Sequence, residues 1–423
     1  MGYVNNNFCS TILLEILSCF FRLAYFSIKM RKQIMNIKLS ENIAAPEGSA
    51  VDRYGYLEIR NGKIYSLKAE SDVQLKGISF YGLGFGPKEG ENIGPKAFAN
   101  ARSVSYMAET WGSQIVRAPV YTSLNTPDYG GYFHEDECSL GEGADGCSVY
   151  SSHYINSGFL KGKVAELVAG AVASGQYVII DWHVLNDSPW IWNQNDGSGG
   201  ENFYWTAAKE FFAEMSRIYG HLPNVIFELG NEPNRENGIE TVDQWHDIYV
   251  PWANEMINTI RENSPSNKQN LIIVGTPEWC QKVEVAVNAD IIDENVIYSA
   301  HYYAGSHGLD TQIGQDILNG IDTALNANKA VMVSEWGSVD ESGDGKVYRD
   351  ESLAWQVELD NRGISSVNWQ LSNVDEASSV LKPENEIPDM PTNGGWNETH
   401  LTDAGDLIVE ILDMHNNPQK YHV

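Results

Sequence analysis

Two glutamates stand at the ends of short apolar runs, and their placement is the first sign of chemistry in this chain. One run is Val225-Ile226-Phe227-Glu228-Leu229-Gly230-Asn231-Glu232-Pro233; the other is Val331-Met332-Val333-Ser334-Glu335-Trp336-Gly337. The apolar stretches read as buried strands, and Pro233 cannot continue a central one. A carboxylate at the end of a buried strand is costly unless it is paired or used. A lone Glu there is more often a salt-bridged structural residue. Two that face one cleft can divide acid–base work, one kept protonated and the other ionised. That pair is the minimum equipment for breaking a glycosidic bond, with retention at a spacing of about 5–5.5 Å and inversion at about 6.5–9.5 Å.

The pattern recurs along the chain. Tyr177-Val178-Ile179-Ile180-Asp181-Trp182-His183 ends in a His, and Val296-Ile297-Tyr298-Ser299-Ala300-His301-Tyr302-Tyr303 in a His and a Tyr. Gln114-Ile115-Val116-Arg117-Ala118-Pro119 carries an Arg, and Ser365-Ser366-Val367-Asn368-Trp369 a Trp.

Each run is followed by a loop and then by a helical pattern. Strands are expected to begin near Val73, Gln114, Gln176, Asn224, Leu271, Val296, Ala330 and Ser365. Amphipathic segments fall at Ala97–Trp111, Leu160–Ala173, Tyr204–Tyr219, Val242–Glu262, Thr311–Ala327, Ser352–Arg362 and Thr402–Met414. Eight such units predict an α/β fold, a (β/α)8 barrel of one domain with long βα loops; a doubly wound open sheet is the alternative. The barrel is preferred because polar strand ends occur throughout the chain, and only a closed ring gathers them. Tyr56 to Leu67 reads as a small N-terminal hairpin turning at Asn61-Gly62, placed to cap the bottom of the barrel.

The chain has 423 residues, 57 acidic against 28 basic, for a formal charge of -29. Nucleic acid and anionic lipid are poor partners for that surface, so a neutral or cationic substrate is expected. Cys138 and Cys147 are close enough in a Gly-rich loop to form a disulfide or to remain two thiols, and no cysteine spacing suggests zinc. Phe8 to Ile28 is apolar but interrupted by Glu15 and Arg22, without the basic start and unbroken apolar stretch of a secretory signal. A poor signal, a membrane-associating leader and a start at Met30 all fit it.

Together these pieces resemble glycoside hydrolase family 5, of the bacterial endo-β-1,4-glucanase (cellulase) type. The matching segments are Leu75-Lys76-Gly77-Ile78-Ser79, Val116-Arg117-Ala118-Pro119, Ile180-Asp181-Trp182-His183, Asn231-Glu232-Pro233-Asn234, His301-Tyr302-Tyr303-Ala304-Gly305, Ser334-Glu335-Trp336-Gly337 and Asn368-Trp369-Gln370-Leu371-Ser372. They fall in the family's order over about residues 50 to 414.

The resemblance implies a retaining double displacement on cellulose or a related β-glucan, with no cofactor and no metal. Glu232 is then the acid/base and Glu335 the nucleophile. Asn231 meets the sugar 2-hydroxyl, Arg117 and Tyr303 hold Glu335, and His301 sits by Glu232. His183 and Trp369 bind the sugar at the cleavage point, and Tyr121 falls where relatives often contact substrate. Tyr81 stands where many relatives carry a His, and Val374 near a position where some carry a Lys, with Glu376 retained. On this reading residues 1–45 are a leader or disordered segment, 46–415 the catalytic domain and 416–423 a short tail. The protein is expected to be secreted, to act as a monomer, and to have no membrane partner beyond that leader. The long loops carry Trp190, Trp192, Trp205 and Trp396, residues that suit either sugar faces or loop packing.

Other classes fit less well. A metal-dependent barrel hydrolase built on Asp181, His183, His301 and Glu232 lacks the paired His-x-His usual on the first strand. A non-catalytic carbohydrate-binding barrel is expected to have lost a carboxylate. Within the family, mannan, xylan and mixed-linkage glucan are alternative substrates.

Overall fold

The computed structural model describes residues 44–86, 93–122, 132, 157–185, 191–195, 202–265, 269–386 and 395–421. A small antiparallel sheet comes first, with β1 (Leu57–Arg60), β2 (Lys63–Ser66) and β3 (Ser71–Asp72). The first two form the expected hairpin. Its turn places Asn61 at φ 53° and Gly62 at φ 71°, the left-handed pair that a two-residue hairpin turn requires.

Eight parallel strands then close into a barrel. They are β4 (Lys76–Phe80), β5 (Ile115–Tyr121), β6 (Tyr177–His183), β7 (Val225–Leu229), β8 (Ile272–Val274), β9 (Val296–Tyr303), β10 (Ala330–Gly337) and β11 (Ser366–Leu371). The ring runs in chain order, and β11 closes on β4 through Ser366↔Lys76 to Leu371↔Phe80.

Helices cover the outside: α1 (Ala101–Trp111), α2 (Ser157–Ser174), α3 (Phe203–Tyr219), α4 (Val250–Asn263), α5 (Gln312–Asn326), α6 (Arg349–Arg362) and α7 (Asp403–Asn416). The unit between β8 and β9 departs from the expected pattern. It has a four-residue turn at Pro277–Cys280 and a 3-10 segment at Val283–Asn288 in place of a full helix. The Val242–Glu262 segment is broken as well, since a π-type turn at Trp245–Tyr249 precedes α4.

Alternation along the strands builds the interior in layers. The lowest layer is apolar: Ile115, Ile179, Ile226, Ile273, Ile297 and Met332 cluster with Leu57 and Ile64 of the hairpin, which plugs the amino-terminal end of the barrel. Two residues further along the same strands stand Arg117, Asp181, Glu228, Ser299 and Ser334, all buried. The next step reaches the mouth, where His183 and His301 lie. The barrel is therefore apolar below and charged above, and its chemistry is concentrated at the carboxyl ends of the strands.

Candidate active site

Arg117, on β5, is the hub of the charged layer. Its Nε donates to Glu228 Oε2 at 2.7 Å, Nη1 to Glu335 Oε2 at 2.6 Å, and Nη2 to Asn231 Oδ1 at 2.6 Å, with Asp181 Oδ2 3.0 Å from Nη2. Buried without partners, a guanidinium would be very costly; with three carboxylates around it, its pKa is held well above the usual value. The other oxygen of Glu335, Oε1, accepts from the Tyr303 hydroxyl at 2.8 Å. Both oxygens of Glu335 are thus fixed by donors.

Glu232 is placed by the turn after β7. Gly230 lies at φ 73°, and a Cβ there would come within 2.7 Å of the Trp192 ring, so a glycine lets the chain swing Asn231 and Glu232 into the mouth. Burial pushes the Glu232 carboxyl up to about 8. Its Oε1 lies 2.8 Å from His301 Nδ1. Burial also pushes His301 down to about 4, so the ring is neutral at ordinary pH. One ligand atom each from Glu232, His301 and Glu335 lie within 4.8 Å of one another. One oxygen of Glu232 thus lies within 4.8 Å of one oxygen of Glu335, a close approach that suits the short carboxyl spacing of retaining chemistry.

The Cellulase (glycosyl hydrolase family 5) profile matches residues 68–375.

The chain belongs to glycosyl hydrolase family 5.

Among its relatives, Endoglucanase N of Pectobacterium atrosepticum is 36% identical over 375 residues, covering 88% of this chain and 69% of the relative. Endoglucanase 5 of Pectobacterium carotovorum subsp. carotovorum is also 36% identical, and this chain spans 61% of its length. A solved cellulase, Cel5C_n, superposes with a TM-score of 0.66 at 30% identity over 87% of this chain and 95% of that one.

The family site opens as a cleft of about 570 Å3 at the barrel mouth, lined by Tyr81, Tyr121, His183, Asn231, Glu232, His301, Tyr303, Glu335 and Trp369. Of the residues expected from sequence, Arg117 alone lies beneath this lining. His183 Nδ1 is taken by Asp181 Oδ2 at 2.7 Å, and its ring stacks on Trp369 with centroids 5.6 Å apart and planes 9° from parallel. Burial pushes Asp181 up to about 7. Tyr81 and Tyr121 pack around Phe85 and Trp369, an aromatic wall on that side.

Several expectations need correction or extension. Trp192 and Trp205 are buried, and Trp192 packs on Tyr249 and Trp252. Trp396 is buried against Phe98, Tyr106 and Trp111. These rings fasten loops and helices to the barrel and offer no face to sugar. Val374 is buried too, so a longer side chain in its place would not simply point into the cleft. Trp190, Cys138 and Cys147 lie outside the described residues.

The strand pattern did not single out Trp279, which lines the cleft beneath the Arg235 guanidinium, 5.0 Å from the ring centroid. Glu278, Trp279 and Cys280 take φ values of 53°, 56° and 61°, a left-handed turn that costs energy in non-glycine residues. It is tied to the Glu232 loop by Cys280 Sγ donating to Asn231 O at 3.1 Å. No periodicity signals such a turn. Glu376, Glu341 and Glu236 add negative charge around the cleft.

Although Glu232, His301 and Glu335 are near enough to share a cation, their donor atoms are already committed. His301 Nε2 meets Ser334 Oγ at 3.0 Å, and Glu335 is held on both oxygens. Arg117 supplies the positive charge that a metal would bring, so the donor set fits an acid–base site better than a metal centre.

Proposed function

We propose that this chain is an endo-acting β-1,4-glucanase that cleaves cellulose or a related β-glucan by retaining double displacement, with Glu232 as acid/base and Glu335 as nucleophile. The observation that carries this reading is the approach of the two carboxylates to within 4.8 Å, one raised to about 8 and the other held by a cation and a phenol. The endoglucanase names of its relatives point the same way.

In the first step protonated Glu232 gives its proton to the glycosidic oxygen while Glu335 Oε attacks the anomeric carbon, forming a glycosyl ester and releasing the leaving chain. In the second, ionised Glu232 takes a proton from water, which attacks the anomeric carbon and frees Glu335. Arg117 and Tyr303 hold both oxygens of Glu335 and aim the carboxylate. Asn231 Oδ1 accepts from Arg117 Nη2 and its Nδ2 donates to Val184 O at 3.3 Å, which fixes the amide and leaves its second N–H for the sugar's 2-hydroxyl. His183 and Trp369, stacked on each other, form the floor at the cleavage point.

A polymer of this kind cannot enter a cell, so action outside the cell goes with the same reading. The test is a panel of carboxymethyl-cellulose, lichenan, mannan and xylan with products sized over time. A rapid fall in cellulose viscosity with mixed oligomers is expected. Activity confined to mannan or xylan would overturn the substrate assignment.

A further inference from the structure

Behind Glu232 lies a buried chain of groups that the displacement does not use. His301 Nδ1 faces Glu232 at 2.8 Å, and its Nε2 faces Ser334 Oγ at 3.0 Å. Ser334 Oγ donates to Glu228 Oε1 at 2.6 Å, and Glu228 Oε2 is bound by Arg117 Nε at 2.7 Å. Glu228 and Ser334 are wholly buried and line no part of the cleft. Glu228 comes from β7, Ser334 from β10 and His301 from β9, so three strands converge on this one line of contacts.

We propose that Glu228 is the internal proton partner of Glu232, joined to it by a relay through His301 and Ser334 that sets which nitrogen of His301 carries the hydrogen. This rests on the acid/base role proposed for Glu232.

The argument is one of donors and acceptors. A serine hydroxyl has one hydrogen. With Glu228 ionised, that hydrogen goes to Glu228 Oε1, so Ser334 Oγ accepts from His301 Nε2 and from the Ser299 hydroxyl, 2.6 Å away. The neutral imidazole then carries its hydrogen on Nε2, and Nδ1 is an acceptor that suits protonated Glu232. Moving one proton inverts every bond. The Glu232 O–H breaks as Nδ1–H forms; Nε2–H breaks as a new Ser334 O–H forms; the old Ser334 O–H breaks as a Glu228 O–H forms. The net result is one proton shifted from Glu232 to Glu228 and a negative charge shifted back, with the imidazole now donating to ionised Glu232.

Arg117 couples this relay to the nucleophile. When Glu335 becomes an ester, the guanidinium loses one anion and holds ionised Glu228 more tightly. That restores Nδ1 as an acceptor, the form that favours Glu232 taking a proton from water. The charged and titratable groups around the line include Arg117 on β5, Asp181 and His183 on β6, Tyr249 in the π-type turn before α4, Cys280 after β8, Tyr303 on β9 and Glu335 on β10. Burial raises Glu228 as well as Glu232, which agrees with a proton shared between them.

The test pairs two variants with one spectrum. Ser334→Ala cuts the relay, and Glu228→Gln removes its terminal acceptor. In each, the basic limb of the kcat/KM profile on carboxymethyl-cellulose is expected to move to lower pH by about one unit, with kcat at neutral pH lower by about tenfold and KM little changed. Histidine 15N spectra of the unmodified enzyme below that limb are expected to show His301 as the Nε2–H form, and this holds the proposal to account even where a variant does not fold. An unmoved limb in the folded variants, a change in KM alone, or an Nδ1–H form below the limb would overturn the relay. Should Glu232→Gln retain near-normal activity, the acid/base reading itself fails, and that outcome is distinct from any of these.

Discussion

Arg117 Nη1 and Glu335 Oε2 are 2.6 Å apart, with the guanidinium wholly buried and the carboxylate at the edge of the cleft. One cation beneath the mouth therefore fixes Glu335, while its remaining nitrogens fix Glu228, Asp181 and Asn231. Removing it strands several buried anions. Arg117→Met is expected to cost about 3–5 kcal/mol of stability, because breaking a buried pair leaves the other charge uncompensated. Thermal unfolding of the variant checks this, and an unchanged melting temperature would contradict the hub role.

Tyr303 contributes a single bond to the same carboxylate. Tyr303→Phe removes the hydroxyl and keeps the ring. A hydrogen bond to a charged group is worth about 1.5–3 kcal/mol, so kcat is expected to fall by roughly ten- to a hundredfold with KM nearly unchanged. Steady-state kinetics on a soluble β-glucan would read this directly.

Glu232 links activity and stability to pH. Its carboxyl is raised to about 8 in the folded protein, above the ordinary carboxylate value. The unfolded chain therefore loses this proton first as pH rises. The contribution to stability is complete below the unfolded value and is lost progressively up to about 8. Asp181, raised to about 7, acts with the same sign. Glu232→Gln is expected to flatten the decline of melting temperature between those limits and to raise it at the upper end, while abolishing most turnover. A variant as pH-sensitive as the parent would show that the carboxyl is not perturbed.

Trp369 is expected to serve binding more than chemistry. It stacks on His183 and borders the aromatic wall of Tyr81, Tyr121 and Phe85. Trp369→Ala removes a flat face worth about 1.5 kcal/mol, close to tenfold in binding. Binding of cello-oligosaccharides to the Glu335→Gln background, measured by calorimetry, should weaken by that factor.

Much of this architecture was legible from the runs of apolar residues. Strands β5 to β11 begin within a residue of where the sequence places them, because each buried strand announces itself by length and by the polar residue at its end. The missing eighth helix was not legible. Segment 275–295 contains Pro277 and a left-handed turn whose conformation has no compositional signature. Ser334 and Glu335 are neighbours that strict alternation would send to opposite faces, yet both join the charged layer. The register between β9 and β10 shifts between Met332 and Glu335, which brings both inward. Glu228 was hidden for the opposite reason. It sits inside an apolar run, two positions beyond buried Ile226, and only closure of the barrel shows that it meets Arg117 and Ser334. The loop tryptophans are equally ambiguous in sequence, since a ring that fastens a loop and a ring that receives a sugar have the same composition.

The most direct test of the account is to trap the covalent intermediate. A 2-deoxy-2-fluoro cellobioside with a good leaving group slows the second displacement more than the first, so the glycosyl ester accumulates. Intact mass spectrometry followed by peptide mapping should find a single added cellobiosyl group, on Glu335. An adduct on Glu232 or Glu228, or turnover that gives the inverted anomer with no adduct, would contradict the assignment of Glu335 as nucleophile and Glu232 as its acid/base partner.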